Sequence, residues 1–150
     1  MRMPRSLDRM KREELPDRDS SWFRTVDPAT QEELLVPPYS SAEATIARNV
    51  RSRARELHTI RFFPDHGHNW PLWDPDFGYT ATPDQYGLSD ELVTALRRWY
   101  DEWEIAVGPG DGWRDAAQRD KWLVRGDELV DWLTRELWDS AEIVAEHRAE

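Results

Sequence analysis

A chain of 150 residues with a formal net charge of −10 and no cysteine is long enough for one domain, and it has neither a disulfide framework nor a thiolate nucleophile or metal ligand. The charge is one-sided: residues 61–150 carry 9 Arg or Lys against 20 Asp or Glu, a net of −11, whereas residues 1–60 carry 11 against 10. Such acidity repels phosphate backbones and excludes general nucleic-acid binding, and no stretch approaches the ~20 apolar residues of a membrane span.

The first residues, Met1-Arg2-Met3-Pro4-Arg5, lead into no apolar run, so a cytoplasmic location is expected rather than secretion. Residues 1–20 alternate charges around Pro4 and Pro16 with almost nothing apolar, which predicts a flexible tail ahead of a single globular domain over residues 21–150. Trp22 and Phe23 are expected to dock on the body. Asp27-Pro28 reads as a cap followed by proline at the first helical position, predicting a short helix through Leu35 that Pro37-Pro38 ends.

Ser40 with Glu43 three residues on forms a candidate capping box. It opens a helix with Ile46, Ala47, Val50, Ala54 and Leu57 along one face and Arg48, Arg51, Arg55 and Glu56 on the other. A basic helix on an acidic chain serves either as an internal match to the acidic C-terminal helices or as a docking strip for an acidic partner. The internal match is preferred, since arginine stems pack well over apolar surface.

Thr59-Ile60-Arg61-Phe62-Phe63 is β-branched and aromatic and predicts a strand, with Phe77 to Ala81 as its expected partner in a two-stranded ribbon. Between them, Pro64, Gly67, Pro71 and Pro75 shape a loop. Ser89 caps a helix with Leu92, Leu96, Trp99, Trp103 and Ala106 in a stripe, which Gly108-Pro109-Gly110-Asp111-Gly112 ends. A longer helix starts near Asp115, with Trp122, Gly126, Leu129, Leu133 and Leu137 on one face. Glycine in mid-helix costs about 1 kcal/mol relative to alanine, so Gly126 marks a place where another element comes close. Ser140 to Glu150 is expected to prolong this helix. The fold class that follows is mostly α (α+β): a helical hairpin from Ser89 to Trp138 and a capped basic helix, with a small two-stranded β ribbon.

Residue types suited to a metal cluster in Asp65, His66, His68 and Asp74, where two imidazoles two residues apart on an extended segment can face one way. The alternative is a tight turn through Gly67 in which the histidines cap backbone groups or stack on Trp70. Asp74 and Asp76 pair carboxylates, as acid–base chemistry needs, although aspartates in loops more often bond locally. Phosphate loop, nucleophile elbow and helical His-Glu-x-x-His motif are all absent from the sequence. Trp70, Trp73, Trp99, Trp103 and Trp113 read as core, yet nine tryptophans exceed what a core of this size readily seals.

Gly67, Trp70-Pro71-Leu72-Trp73, Gly87-Leu88-Ser89 with Leu92, Leu96 and Trp99, and Gly112-Trp113 together give the chain a pattern that resembles a group of small actinobacterial proteins with no assigned activity. The likeness spans roughly residues 59–138 and transfers no catalytic residue. The favoured function is a non-enzymatic protein-binding domain, an immunity-like inhibitor or adaptor whose acidic, Trp-rich surface meets a basic protein partner without a cofactor. Its candidate contact residues are Asp101, Glu102, Asp131, Trp132 and Trp138. Two other readings are a small hydrolase using a divalent metal on Asp65, His66, His68 or Asp74, and a nucleic-acid mimic whose carboxylates stand in for phosphates along one exposed ridge.

Overall fold

A computed structural model describes residues 21–68, 70–77, 82–110 and 112–149; the tail expected over residues 1–20 lies outside them. Two compact units share the chain, one ending at Glu56 and the other beginning at Leu57.

In the first unit, β1 (Phe23–Val26) pairs antiparallel with β2 (Glu33–Val36), Phe23 opposite Val36 and Val26 opposite Glu33. A hairpin therefore replaces the helix expected from Asp27 to Leu35. The Asp27 carboxylate does accept from a nearby amide, that of Ala29 at 2.9 Å, but it closes a turn rather than capping a helix. The chain reverses behind it, with the Gln31 amide on the Asp27 carbonyl at 2.7 Å.

Helix α1 (Ala42–Arg53) begins one residue later than expected: Ser41 is the cap, its hydroxyl accepting from Ala44 N at 3.0 Å. Glu43 thus falls at the second helical position, where the reciprocal box with Ser40 cannot form. The expected apolar face is not the buried one either. Thr45 is the buried residue of α1, Val50 is exposed, and the helix stops before Ala54 and Leu57. Polar partners hold α1 instead: Asn49 Nδ2 donates to Asp27 Oδ2 (2.9 Å) and Glu32 Oε1 (3.1 Å), and Arg53 donates to the same Asp27 oxygen at 2.9 Å.

The second unit is built on β3 (His58–Phe62), the middle strand of a sheet ordered β4-β3-β5. Burial alternates along β3, with Ile60 and Phe62 inward and Thr59 and Arg61 outward, as a half-buried strand requires. β4 (Leu72–Trp73) runs antiparallel to it, Phe62 opposite Leu72. β5 (Ala141–Ala145) runs parallel, His58 opposite Ala141 and Phe62 opposite Ala145.

Neither strand paired with β3 is the partner expected, Phe77 to Ala81. Phe77 lies in a 3-10 turn (Pro75–Phe77), and residues 78–81 lie outside the described residues. Ala141–Ala145, expected as helix, becomes a strand because the chain turns back at Leu137, whose carbonyl takes the amides of Ser140 and Ala141, and β3 offers an open edge. After the short α2 (Pro83–Tyr86), the expected hairpin is present as α3 (Asp90–Val107) and α4 (Ala116–Glu136), capped by Ser89 and Asp115. Leu92, Leu96 and Trp99 on α3 meet Trp122, Leu123, Leu129 and Leu133 on α4, and Ile60, Phe62, Leu72, Leu137 and Ala141 complete the core. No helix among the described residues is long and apolar enough to cross a membrane.

Candidate partner-binding surface

The hairpin is locked by two tryptophans that satisfy one another. Trp99 Nε1 donates to the Trp122 carbonyl (2.8 Å) and Trp122 Nε1 to the Trp99 carbonyl (2.9 Å), while the rings stack 4.0 Å apart, 7° from parallel. Both indole N–H groups are thereby buried without the penalty of an unmade hydrogen bond. Beside this clasp, α4 passes so close to β5's end that a Cβ on Gly126 would lie 2.5 Å from His147 Cδ2 and 2.9 Å from Trp99 Cζ2. Here the close approach read from a mid-helix glycine is realised. His147 Nε2 then sits 2.8 Å from Asp127 Oδ1, and Arg148 grips the same carboxylate. The Arg148 guanidinium, with His147 assisting and burial opposing, holds Asp127 below the usual carboxylate range.

With their inner faces committed, α3 and α4 leave an open groove of about 590 Å³ between their outer rows, lined by Ala95, Arg98, Trp99 and Glu102 on one side and Arg125, Glu128, Leu129 and Trp132 on the other. Glu102 crosses it to Arg125, and Gln118 donates to Glu102 at 3.2 Å. At one end, Glu136 receives the Ser89 amide (2.8 Å) and the Trp132 indole N–H (2.9 Å), which fixes the orientation of Trp132. Burial alone would raise the Glu136 carboxyl, but the Ser89 hydroxyl and amide, Trp132 and Arg135 together hold it below its ordinary range.

Of the five nominated contact residues, Glu102 and Trp132 come together in this groove. Asp101 is exposed on α3, and Asp131 is exposed on α4 with Arg135 at 3.7 Å. Trp138, half-buried past the end of α4, does not line it. Arg98, Glu128 and Leu129 also line the groove, each three or four residues from Glu102 or Trp132 on the same helix.

Asp65, His66, His68 and Asp74 are not gathered into one cluster. His66 packs on Trp103 (centroids 4.4 Å), and His68 is buried against Trp73 (3.8 Å) with Nε2 3.3 Å from the Leu72 carbonyl. The Tyr100 hydroxyl points between the Asp65 and His68 carbonyls, pinning the turn from behind. The histidines thus stack, though on Trp73 and Trp103 rather than on Trp70, which lies under the Arg97 guanidinium at 4.8 Å.

Asp74 belongs to another group. It is fully buried, accepts from Asp76 N (2.9 Å) and the Tyr86 hydroxyl (2.9 Å), and has His58 Nδ1 3.1 Å from Oδ2. Burial, then the bond to Asp74, drives the Tyr86 phenol far above its ordinary value, so it stays a donor. Nothing local in the sequence connects His58 to Asp74.

A family model described as Serratia CdiI immunity protein-like matches residues 58–146, more than half of the chain. The chain belongs to this family. The match begins at the first residue of β3 and ends one residue past β5, so the CdiI-like region covers the sheet, the aromatic clasp and the groove, and it leaves the first unit outside. Membership in an immunity-protein family implies a protein partner. Neither the curated proteins nor the solved structures compared with the chain gave a match.

Proposed function

We propose that the chain is an immunity protein that binds and neutralises a basic protein toxin through the outer groove of the α3–α4 hairpin. The observation that carries this reading is an apolar floor of Ala95, Leu129 and Trp132 left open between charged rims, on a unit with a net charge of −11. Ile105, 85% exposed, stands one turn beyond Glu102 in the same row of α3 and extends the apolar strip toward the loop. Trp132, held by Glu136, is a rigid anchor of the kind that carries binding energy, and the surrounding carboxylates speed encounter with a cationic partner.

The test is protection. Cells producing the partner toxin survive when the native chain is co-expressed, and the double variant Ile105→Arg, Glu128→Arg fails to protect. Its affinity falls at least about tenfold while its thermal midpoint stays within a few degrees of native. Full protection by the double variant would remove the groove from the interface.

A further inference from the structure

Where β3 begins and the loop after β4 passes, the side chains of His58, Asp74 and Asp76 each place one ligand atom within 4.8 Å of the others. We propose that these three residues form a zinc-binding site. This site is separate from the groove and does not depend on the immunity reading.

Two independent features point to a cation. The first is the imidazole: Nδ1 of His58 lies 3.1 Å from Oδ2 of Asp74 and 3.1 Å from Oδ2 of Asp76, yet this buried nitrogen has no directed hydrogen bond to either. Hydrogen bonds weaken steeply below about 120°, so hydrogen bonding does not account for the arrangement. The separation is instead close to the ~3.3 Å edge of a tetrahedron whose centre lies about 2.0 Å from each ligand. The second is charge. Asp74 has no exposed side-chain surface, and among the described residues the imidazole of His58 is the only basic group within ion-pair distance of it. Tyr86 and the Asp76 amide supply hydrogen bonds but no charge, and because a buried carboxylate is costly unless paired, a cation held between Asp74 and His58 would offset that cost.

The surroundings also hold the ligands in place. His58 stacks on Phe77 at 5.1 Å and meets the edge of Tyr86 at 6.5 Å, which fixes the ring, while the Tyr86 hydroxyl orients Asp74 at 2.9 Å. Outer partners of this kind set ligand direction in zinc sites. One nitrogen and two carboxylate oxygens match zinc better than calcium or magnesium, which take six or more oxygens. Asp76 is two-thirds exposed, leaving a solvent side for a water as fourth ligand. His58 opens β3 and Asp74 follows β4, so a bound ion would fasten the loop after β4 to the start of the central strand.

Native mass spectrometry and calorimetry with zinc chloride on chelator-stripped protein test this. The expected result is one zinc per chain with a raised thermal midpoint. Asp76→Ala and His58→Gln should each weaken binding at least about tenfold, whereas His66→Ala leaves it unchanged. Because Asp76 is at the surface, Asp76→Ala in chelator should melt with the native protein, which separates lost binding from lost folding. No stoichiometric zinc, native affinity in Asp76→Ala, or equal affinity for magnesium would each overturn the assignment.

Discussion

In the unit that begins at Leu57, aromatic and leucine side chains from the sheet and both long helices bury one another around the Trp99–Trp122 stack. In the unit that ends at Glu56, Val36 and Pro37 are buried, Phe23, Val26 and Val50 remain exposed, and the carboxylates of Asp27 and Glu32 tie the hairpin to α1, Asp27 through both Asn49 and Arg53. The contrast separates two ways of stabilising a short stretch of chain. Apolar burial is non-directional and indifferent to pH, whereas a polar latch depends on geometry and on the charge state of its central group. The CdiI-like match covers only the first kind.

The comparison is broken or sharpened most strongly at the clasp. Trp122→Ala removes a buried ring and leaves the Trp99 indole N–H close to a cavity, and is expected to destabilise the second unit by about 3–5 kcal/mol. Urea denaturation followed by circular dichroism measures it, and a loss below about 1 kcal/mol would mean the stack is not what holds the hairpin.

Next in size, Asp27→Ala should destabilise the first unit by about 2 kcal/mol by removing one of the two acceptors of Asn49 and freeing Arg53. Hydrogen exchange over residues 23–53 should accelerate while exchange in β3 and α4 does not change. The same latch has a pH signature. Asn49's hydrogen bond, aided by Ala29 and Arg53 against the effect of burial, holds the Asp27 carboxyl below its ordinary value. Its stabilisation is therefore fully present above the ordinary carboxylate pKa of about 3.9 and is lost as pH falls below that toward the folded value. Protection in residues 23–53, taken relative to the unfolded-chain exchange rate at each pH, should fall in the native chain as pH drops below about 4, and Asp27→Ala should remove that dependence at this site.

A smaller effect is expected at Gly126→Ala, where helix propensity favours alanine by about 1 kcal/mol but the new methyl meets His147 and Trp99. A net destabilisation of about 1–2 kcal/mol in a thermal melt is expected, and a stabilised variant would show that β5's end yields freely. Asp127→Asn should matter least. Its carboxylate is half-exposed, so losing the Arg148 pair should cost under about 1 kcal/mol, and that difference should shrink in high salt.

The long helices were legible because their signals are local. A stripe at spacings of three and four, Ser89 and Asp115 as caps and a glycine–proline break state where α3 and α4 begin and turn, and Gly126 announces a close neighbour on its own. Strand β3 was legible from its β-branched and aromatic run. Of the candidate contact residues, Glu102 and Trp132 line the groove between the helices, whereas Asp101, Asp131 and Trp138 do not.

Ala141 to Ala145 has no local feature that distinguishes strand from helix, and its identity comes from pairing with β3, where Arg61 and Glu146 meet across 85 residues of sequence. Asp27-Pro28 satisfies the rules for a helix start, yet the carboxylate takes partners from α1 and closes a turn. His58 and Asp74 meet only because β3 and the loop after β4 lie side by side. Local chemistry acts over about one helical turn, so it fixed the caps, the stripes and the breaks. Which strand pairs with which, and which buried charge faces which imidazole, was decided by burial across the whole unit.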